Sequence, residues 1–382
     1  MSTKKIYILS CYLLINVLFI GKYGLRQDLI SPILLIAAYL LFVPGIYLII
    51  IKFKNRLNTF SRFKKWLIFT GLLLSLLLFY IMVSVDKNQL NTDRWSAMTS
   101  AIGALLNLDY PYTAVDHMGG RSSNFPGLLL IGIPFYLLGN VGFLEIFTFL
   151  ATILFLVKSK IMNHRKVLTL LLLLFSPAWW WEIVTGSDLM SNIILIILFM
   201  LIWHHKYPED YFRKPVLLGI LTAIFILTRG IVIIPLTIFL FKAFMDAPKV
   251  KKFQFTSSFL IAIILLALPV ILLAPDTDTL IHYNPIVLQI RHMPYYIQML
   301  TIASSFLLAI GAKHISIVFF RSFLVLSSFI LLTLIISLWN YGLYESIVNS
   351  IFDISYLGML IPFSIVTLVI PGYTYEKRSI QV

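Results

Sequence analysis

The sequence has few charged residues and a single cysteine. Only 12% of its 382 residues are Asp, Glu, Lys or Arg, while 60% are hydrophobic; soluble domains carry roughly 25% charged residues. This composition excludes an ordinary soluble domain and predicts one all-α polytopic membrane domain over residues 1–382. The lone Cys11 excludes an intramolecular disulfide and a cysteine-based metal cluster.

The common signatures of nucleotide and hydrolase chemistry are missing as well. The sequence contains no GxxxxGK[ST] phosphate loop, no dinucleotide-binding fingerprint, no HExxH and no GxSxG. The loops that are rich in Lys and Arg are also too short to form a nucleotide-binding domain. An enzyme of this layout would receive an activated substrate within the membrane.

Apolar runs predict about twelve membrane spans of roughly 20 residues each. The first run is expected to remain as a span, because it lacks the small-residue cleavage site of a signal peptide. The runs lie near residues 7–20, 30–51, 66–85, 141–157, 167–183, 189–203, 216–228, 231–244, 255–273, 295–312, 315–338 and 347–370.

Basic residues predict the orientation of these spans. With a cytoplasmic N-terminus, the four sizeable inner segments are all rich in Lys and Arg: residues 52–65, 158–166, 204–214 and 242–252. The net charge of +14 is thereby explained by topology, and no nucleic-acid partner is expected. We expect an integral protein of the cell (inner or cytoplasmic) membrane with both termini in the cytoplasm and its chemistry outside.

Two outer segments stand out by length and polarity. Residues 86–139 form the longest polar interruption, and we expect an outer loop with interfacial or re-entrant helices, since 126–138 is too short to span. A second outer loop covers residues 274–294. Its Asp276 and Asp278 resemble part of a divalent-metal site, but without supporting ligands they predict neither a metal nor a cofactor.

Part of the first loop resembles a known family. The stretch DRWSAMTSAIGALLNLDYPY, followed by GGRSSNFPGLLLIGIPFYLLG, resembles the first outer loop of the GT-C superfamily of integral-membrane glycosyltransferases. TGSDLMSNIILIILFMLIW and GILTAIFILTRGIVIIPL are similar to later spans of that superfamily. The resemblance covers about residues 65–244, and two spans more than in many relatives precede the first acid.

The resemblance implies a mannosyltransferase-like or aminoarabinose-transferase-like enzyme. Such enzymes transfer a sugar from a polyprenyl-phosphate donor to a lipid, glycan or protein acceptor at the extracytoplasmic face, usually with inversion. The residues fit this chemistry, because a carboxylate can take the acceptor proton and cations can stabilise the departing phosphate. The candidate acids are Asp93, Asp188 and Asp116, the candidate cations are Arg229, Arg94, Arg121 and Arg291, and the candidate sugar or acceptor contacts are Trp95, Tyr110, Tyr112, His117 and His282.

Several candidates have a structural alternative. Asp93 and Asp188 could cap helices, Arg229 could extend to the interface, and the aromatic residues could anchor the protein there. The competing function is a flippase, polymerase or ligase of lipid-linked glycans, or a transporter. A transporter should place ionisable groups near the middle of the membrane, where this sequence has few.

Overall fold

The computed structural model describes residues 3–290 and 294–370 and confirms an all-helical fold, whose long apolar helices indicate an integral membrane protein. Within these residues, six helices are long and apolar enough to cross a membrane, or seven if the pair Asn163–Leu174 and Pro177–Thr185, bent by 60°, forms one span. Shorter apolar helices include Pro126–Leu137, Pro215–Ile226 and Tyr295–Ala309. The count of about twelve spans therefore stays a prediction.

The described α-helices follow one another in chain order and are connected mostly by short turns. They are α1 Thr3–Gly24, α2 Pro32–Lys52, α3 Lys54–Asn58, α4 Phe63–Ser84, α5 Arg94–Leu106, α6 Pro126–Leu137, α7 Phe143–Lys158, α8 Asn163–Leu174, α9 Pro177–Thr185, α10 Leu189–Lys206, α11 Pro215–Ile226, α12 Ile233–Asp246, α13 Lys249–Leu272, α14 Thr277–His282, α15 Pro285–Ile290, α16 Tyr295–Ala309, α17 Ile315–Leu343, α18 Ser355–Gly358 and α19 Leu360–Val369.

Local sequence explains several helix boundaries. Pro32, Pro126, Pro177 and Pro215 stand in the first turn of their helices, where a fixed φ suits the helix and the missing N–H costs no hydrogen bond. Gly186 ends α9 in the left-handed region at φ 60°, which a residue with a Cβ rarely adopts. The chain can therefore turn sharply from α9 into α10.

Helix α10 lies at the centre of the bundle. About 67% of its most apolar stretch is buried inside the protein, against 17% for α2 and 17% for α13. The outer helices expose large apolar side chains, including Leu41 and Leu265, as expected for surfaces that face lipid. A polar residue at the start of α10 is therefore held deep within the protein.

The bundle has two chemically different ends. At the first, which we call the site end, the beginnings of α5, α10 and α18 meet the segment that precedes α12. Helices α7 and α10 both start there and run away from it. At the other, the basic end, Asn58 binds the backbone and ring of His164, and Lys251 pairs with Asp210. The four basic segments predicted on one side lie at this end.

The structure changes the boundaries of the last two predicted spans. Helix α17 continues to Leu343 rather than ending near residue 338, and a π-helical turn, Tyr344–Val348, follows it. The next helix begins at Ser355 and not near residue 347. The predicted span therefore starts with a loop, and Asp353 in that loop contacts Arg94.

The segment 86–139 contains α5 and α6 joined by an irregular stretch with an isolated bridge between Val115 and Arg121. Helix α6 packs against α5, α11 and α13. Gly127 allows its close approach to α11, because a Cβ there would lie 2.4 Å from the Ile224 carbonyl oxygen. This contact fixes the residues just before α6 relative to those just after α11.

Candidate functional site

A buried ion pair joins the start of α10 to the segment before α12. The Arg229 Nε and Nη2 atoms donate to Asp188 Oδ2 at 3.0 and 2.5 Å, and Nη2 also donates to Asn124 Oδ1 at 2.8 Å. Arg229 is 4% exposed and Asp188 3%. Each charge needs the other, since an unpaired buried charge costs several kcal/mol, on the order of 3–5. Two predicted site residues thus meet, and Arg229 points inward.

The backbone explains how the three side chains converge. The N–H groups of Phe125 and Gly127 donate to the carbonyl oxygens of Thr228 and Leu227 at 3.4 and 2.8 Å, which places Asn124 beside Arg229. Asp188 precedes α10 but its side chain makes no capping hydrogen bond there. Its carboxylate is therefore committed to the guanidinium.

A second cationic cluster lies at the same end. Arg94 Nη2 forms an ion pair with Asp353 and donates to Ser355 Oγ at 3.2 Å, and its guanidinium carbon lies 5.7 Å from the centre of the Tyr356 ring. Burial acts to raise the pKa of Asp353, but the Arg94 charge and hydrogen bonds from Ser355 outweigh it and hold that pKa below its ordinary value. Asp353 is therefore a stable counter-ion for Arg94.

Asp93 is the accessible carboxylate of this cluster. Its side chain is 42% exposed, and Oδ1 lies 3.9 Å from Arg94 Nε. Although Asp93 immediately precedes α5, its side chain makes no capping hydrogen bond. An exposed carboxylate beside a fixed cation can accept a proton from an incoming hydroxyl, whereas the paired Asp188 cannot do so without giving up Arg229.

A mainly apolar cavity of about 370 Å³ opens beside the ion pair. It lies between α12, α16, α17 and α18, and its wall includes Arg229, Ile234, Ile302, Phe329, Ile330 and Tyr356. Tyr356 thus connects the cavity with the Arg94 cluster. A cavity with one guanidinium in an apolar wall suits an amphiphile that carries a single anionic group.

Gln289 of α15 spans the edge of this cavity. Its Oε1 accepts from the Gly230 N–H at 2.8 Å, and its Nε2 donates to the Ser123 carbonyl oxygen at 2.5 Å. Gly230 follows Arg229 and Ser123 precedes Asn124, and Arg229 and Asn124 are themselves joined by a hydrogen bond. Gln289 therefore links the segment 274–294 to the buried pair.

Asp116 and Arg121 lie in the irregular segment and are engaged locally. Asp116 Oδ1 accepts from the N–H groups of Met118 and Gly120 at 2.8 and 3.0 Å, which stabilises a turn. The Arg121 guanidinium lies 4.3 Å from the centre of the Tyr283 ring. In the described chain, neither side chain pairs with Asp188 or Asp353. Arg291, another predicted cation, lies outside the described residues.

The predicted aromatic contacts are half-buried or fully buried. Trp95 donates through Nε1 to Asn140 Oδ1 at 2.9 Å. Tyr110 and Tyr112 are buried against each other, with ring centres 5.3 Å apart, beside Val270. Trp95 is therefore the only one of the three in a half-buried position near Asp93.

The two predicted histidines differ in their surroundings. His117 lies beside α5: its Nδ1 is 2.6 Å from Ser96 Oγ and its Nε2 is 3.1 Å from the Leu90 carbonyl oxygen. His282 is exposed and its ring packs edge to face on Tyr283. His117 is thus close in space to the start of α5, which Asp93 precedes, and His282 belongs to the segment 274–294.

Sequence reasoning missed Asn124, Asp353 and Gln289. Asn124 and Gln289 are uncharged, and nothing local in the sequence marks them as partners of Arg229. Asp353 carried a usable signal, because it is an acid inside an apolar run that was predicted to span, where a charge requires a partner. Arg94, its partner, is 259 residues away along the chain.

No metal-binding arrangement occurs among the described residues: no group of three or more His, Cys, Asp and Glu side chains could hold an ion. In comparisons with known proteins, no family model, curated protein or solved structure matches the chain. The chemistry at the site end therefore has to be inferred from its own side chains.

Proposed function

We propose that the protein is a membrane glycosyltransferase that moves a sugar from a polyprenyl-phosphate carrier to an acceptor at the extracytoplasmic face. The observation that carries this proposal is Arg229 in the wall of an apolar cavity. Its Nε and Nη2 atoms are occupied by Asp188 and Asn124, and no hydrogen bond is made by Nη1 within the described chain. A phosphate oxygen can bind there while the lipid chain occupies the cavity.

The proposed reaction divides the work among three groups. Asp93 takes the proton of the acceptor hydroxyl as its oxygen attacks the anomeric carbon, and the bond from that carbon to the carrier phosphate breaks. Arg229 stabilises the negative charge of the departing phosphate. Asp188 and Asn124 hold Arg229 in place, so the cation does not reorganise during the reaction. Attack opposite the leaving phosphate inverts the anomeric centre.

The resemblance to GT-C enzymes enters the proposal as support from sequence. The proposal also includes five further membrane crossings, by α7, α11, α12, α16 and the α18–α19 unit. Added to the six long apolar helices and the bent pair α8–α9, these crossings give about twelve spans. The site end then faces outward and the basic end faces the cytoplasm.

A flippase of lipid-linked glycans is the second candidate function. The observation that favours it is the pair of buried acids Glu145 and Glu182, because proton-coupled transporters place such groups inside the protein. A flippase would move the intact donor across the bilayer without breaking the sugar–phosphate bond.

The two functions separate in a transfer assay with the purified protein in liposomes. A panel of polyprenyl-phosphate sugars and acceptors would be supplied, and mass spectrometry would measure released polyprenyl phosphate and glycosylated acceptor. We expect both products in equal amounts. Intact donor appearing in the opposite leaflet, with neither product formed, would favour the flippase.

Asp93→Asn provides the residue-level test. The amide keeps the size of the side chain but cannot accept the proton, so turnover should fall about 10²-fold or more. Asp278→Asn is the matched control, because Asp278 is an exposed acid in the second outer segment. Near wild-type turnover by a correctly folded Asp93→Asn variant would remove Asp93 as the base.

A further inference from the structure

Two buried carboxyl groups at the site end have no part in the proposed reaction. Glu145, in the first turn of α7, and Glu182, in α9, are both fully buried. They lie close enough to each other and to Asp188 for their charges to interact. Glu182 Oε1 accepts a hydrogen bond from the Met190 N–H, but neither Glu145 oxygen has a partner within the described chain.

The nearby cations are already assigned. Arg229 is bound to Asp188, and Arg94 is bound to Asp353. Lys87 donates its ammonium group to the Met82 carbonyl oxygen at 2.6 Å, and Lys22 of α1, which packs against α9, donates to Ser350 Oγ at 2.7 Å. Two full negative charges on Glu145 and Glu182 would therefore be buried together without a counter-ion. The desolvation penalty for such charges is several kcal/mol per ion.

The elements packed around Glu145 supply polar groups but no further charge. Helix α6 has no charged residue, and α4 has none beyond Lys65, at its far end. From α10, the Ser191 hydroxyl faces Glu145 without completing a hydrogen bond. Asn192, the next residue, is fully buried with both amide atoms unpartnered in the described chain. These groups suit a carboxyl group that can both donate and accept.

We propose that Glu145 and Glu182 together hold one proton, with Ser191 beside Glu145, and form a proton-binding site next to the Asp188–Arg229 pair. Glu145 carries the proton, because Glu182 already accepts a backbone hydrogen bond that favours its ionised form. The pair then holds one negative charge instead of two. Release of the proton restores the second charge beside Asp188, where it competes for Arg229.

A metal ion is the other ligand that could neutralise two acids. Within the described residues, no group of three or more His, Cys, Asp and Glu side chains is arranged to hold one. A proton needs no such coordination sphere, because it neutralises a single buried carboxyl group by itself. The geometry thus favours the proton.

Infrared spectroscopy of the full-length protein in liposomes can detect this proton directly. A protonated carboxyl group has a C=O stretching band that is distinct from the carboxylate bands. We expect such a band in the wild type at neutral pH and its loss in Glu145→Gln. Glu209→Gln, which alters an exposed acid, is the control and should leave the band unchanged. A band that persists in full in Glu145→Gln would overturn the proposal.

Thermal unfolding gives an independent measurement. Glutamine mimics the neutral acid, so Glu145→Gln should fold and melt at or above the wild-type temperature at neutral pH. Wild-type stability should fall as the pH rises, because the folded protein holds a proton that the unfolded chain releases; in Glu145→Gln this slope should be smaller. A variant that fails to fold, or a wild type stabilised specifically by added sodium or magnesium ions, would contradict a bound proton. Neither measurement depends on glycosyl transfer.

Discussion

Two ion pairs at opposite ends of the bundle have the same length and very different surroundings. Arg229 and Asp188 at the site end approach to 2.5 Å with side chains 4% and 3% exposed. Lys251 and Asp210 at the basic end also approach to 2.5 Å, but their side chains are 32% and 47% exposed. Distance alone therefore does not distinguish them, whereas burial does.

The difference lies in the cost of desolvation. Water screens the exposed pair at the basic end, so that pair contributes about 0–1 kcal/mol. The buried pair has lost its water, and its net effect on stability can be close to zero even though removing either partner is severe. The buried pair does, however, fix a guanidinium beside a cavity, which is the role that the proposed function requires of Arg229.

The largest effect should come from breaking the buried pair. Arg229→Ala leaves the Asp188 charge and the Asn124 amide without their partner, so we expect about 3–5 kcal/mol of destabilisation. Thermal or denaturant unfolding in detergent would measure it. The double variant Asp188→Leu with Arg229→Met, which removes both charges, should recover most of the stability and still lack donor binding. Equal stability of Arg229→Ala and wild type would show that the pair is solvated.

An intermediate effect is expected at the Arg94 cluster. The lowered pKa of Asp353 means that its ionised form contributes stability above the unfolded pKa of about 3.9, and this stability is lost as the pH falls through the lower folded pKa. Asp353→Asn should therefore cost about 1 kcal/mol at neutral pH, after allowance for partial exposure. When unfolding is measured at several pH values, the variant should lose less stability than the wild type as the pH falls. An identical loss of stability at low pH in the two proteins would exclude the interaction.

The smallest effect should be at the exposed pair. Lys251→Ala removes the partner of Asp210 but leaves that carboxylate hydrated, so stability should change by about 1 kcal/mol or less. The small effect should shrink further in high salt, because screening weakens surface pairs. If Lys251→Ala lost as much stability as Arg229→Ala, and if salt did not change that loss, the two ion pairs would not differ in the way that their burial predicts.

The sequence predicted the helical class and several of the residues that meet at the candidate site. Asp93, Asp188 and Arg229 were recognisable because charges are conspicuous in apolar sequence. The pairing of Asp188 with Arg229, 41 residues apart, was not predictable, since hydropathy and local propensity do not specify which helix ends meet. Asp353 was missed because its apolar neighbours predicted a continuous span, whereas its side chain binds Arg94 and accepts a hydrogen bond from the Ser355 N–H at the start of α18.

Photocrosslinking with a diazirine-bearing polyprenyl phosphate is the most direct measurement of the central claim, that the cavity beside Arg229 holds the carrier. It needs no knowledge of the sugar or the acceptor. We expect labelled peptides from the cavity wall, including Ile302 on α16 and Phe329 on α17. Arg229→Lys should label several-fold less, because one ammonium group keeps the charge but cannot bind Asp188, Asn124 and the phosphate in the geometry of the guanidinium, and Lys251→Ala should label like wild type. Labelling confined to other surfaces, or equal labelling of all three proteins, would contradict the claim.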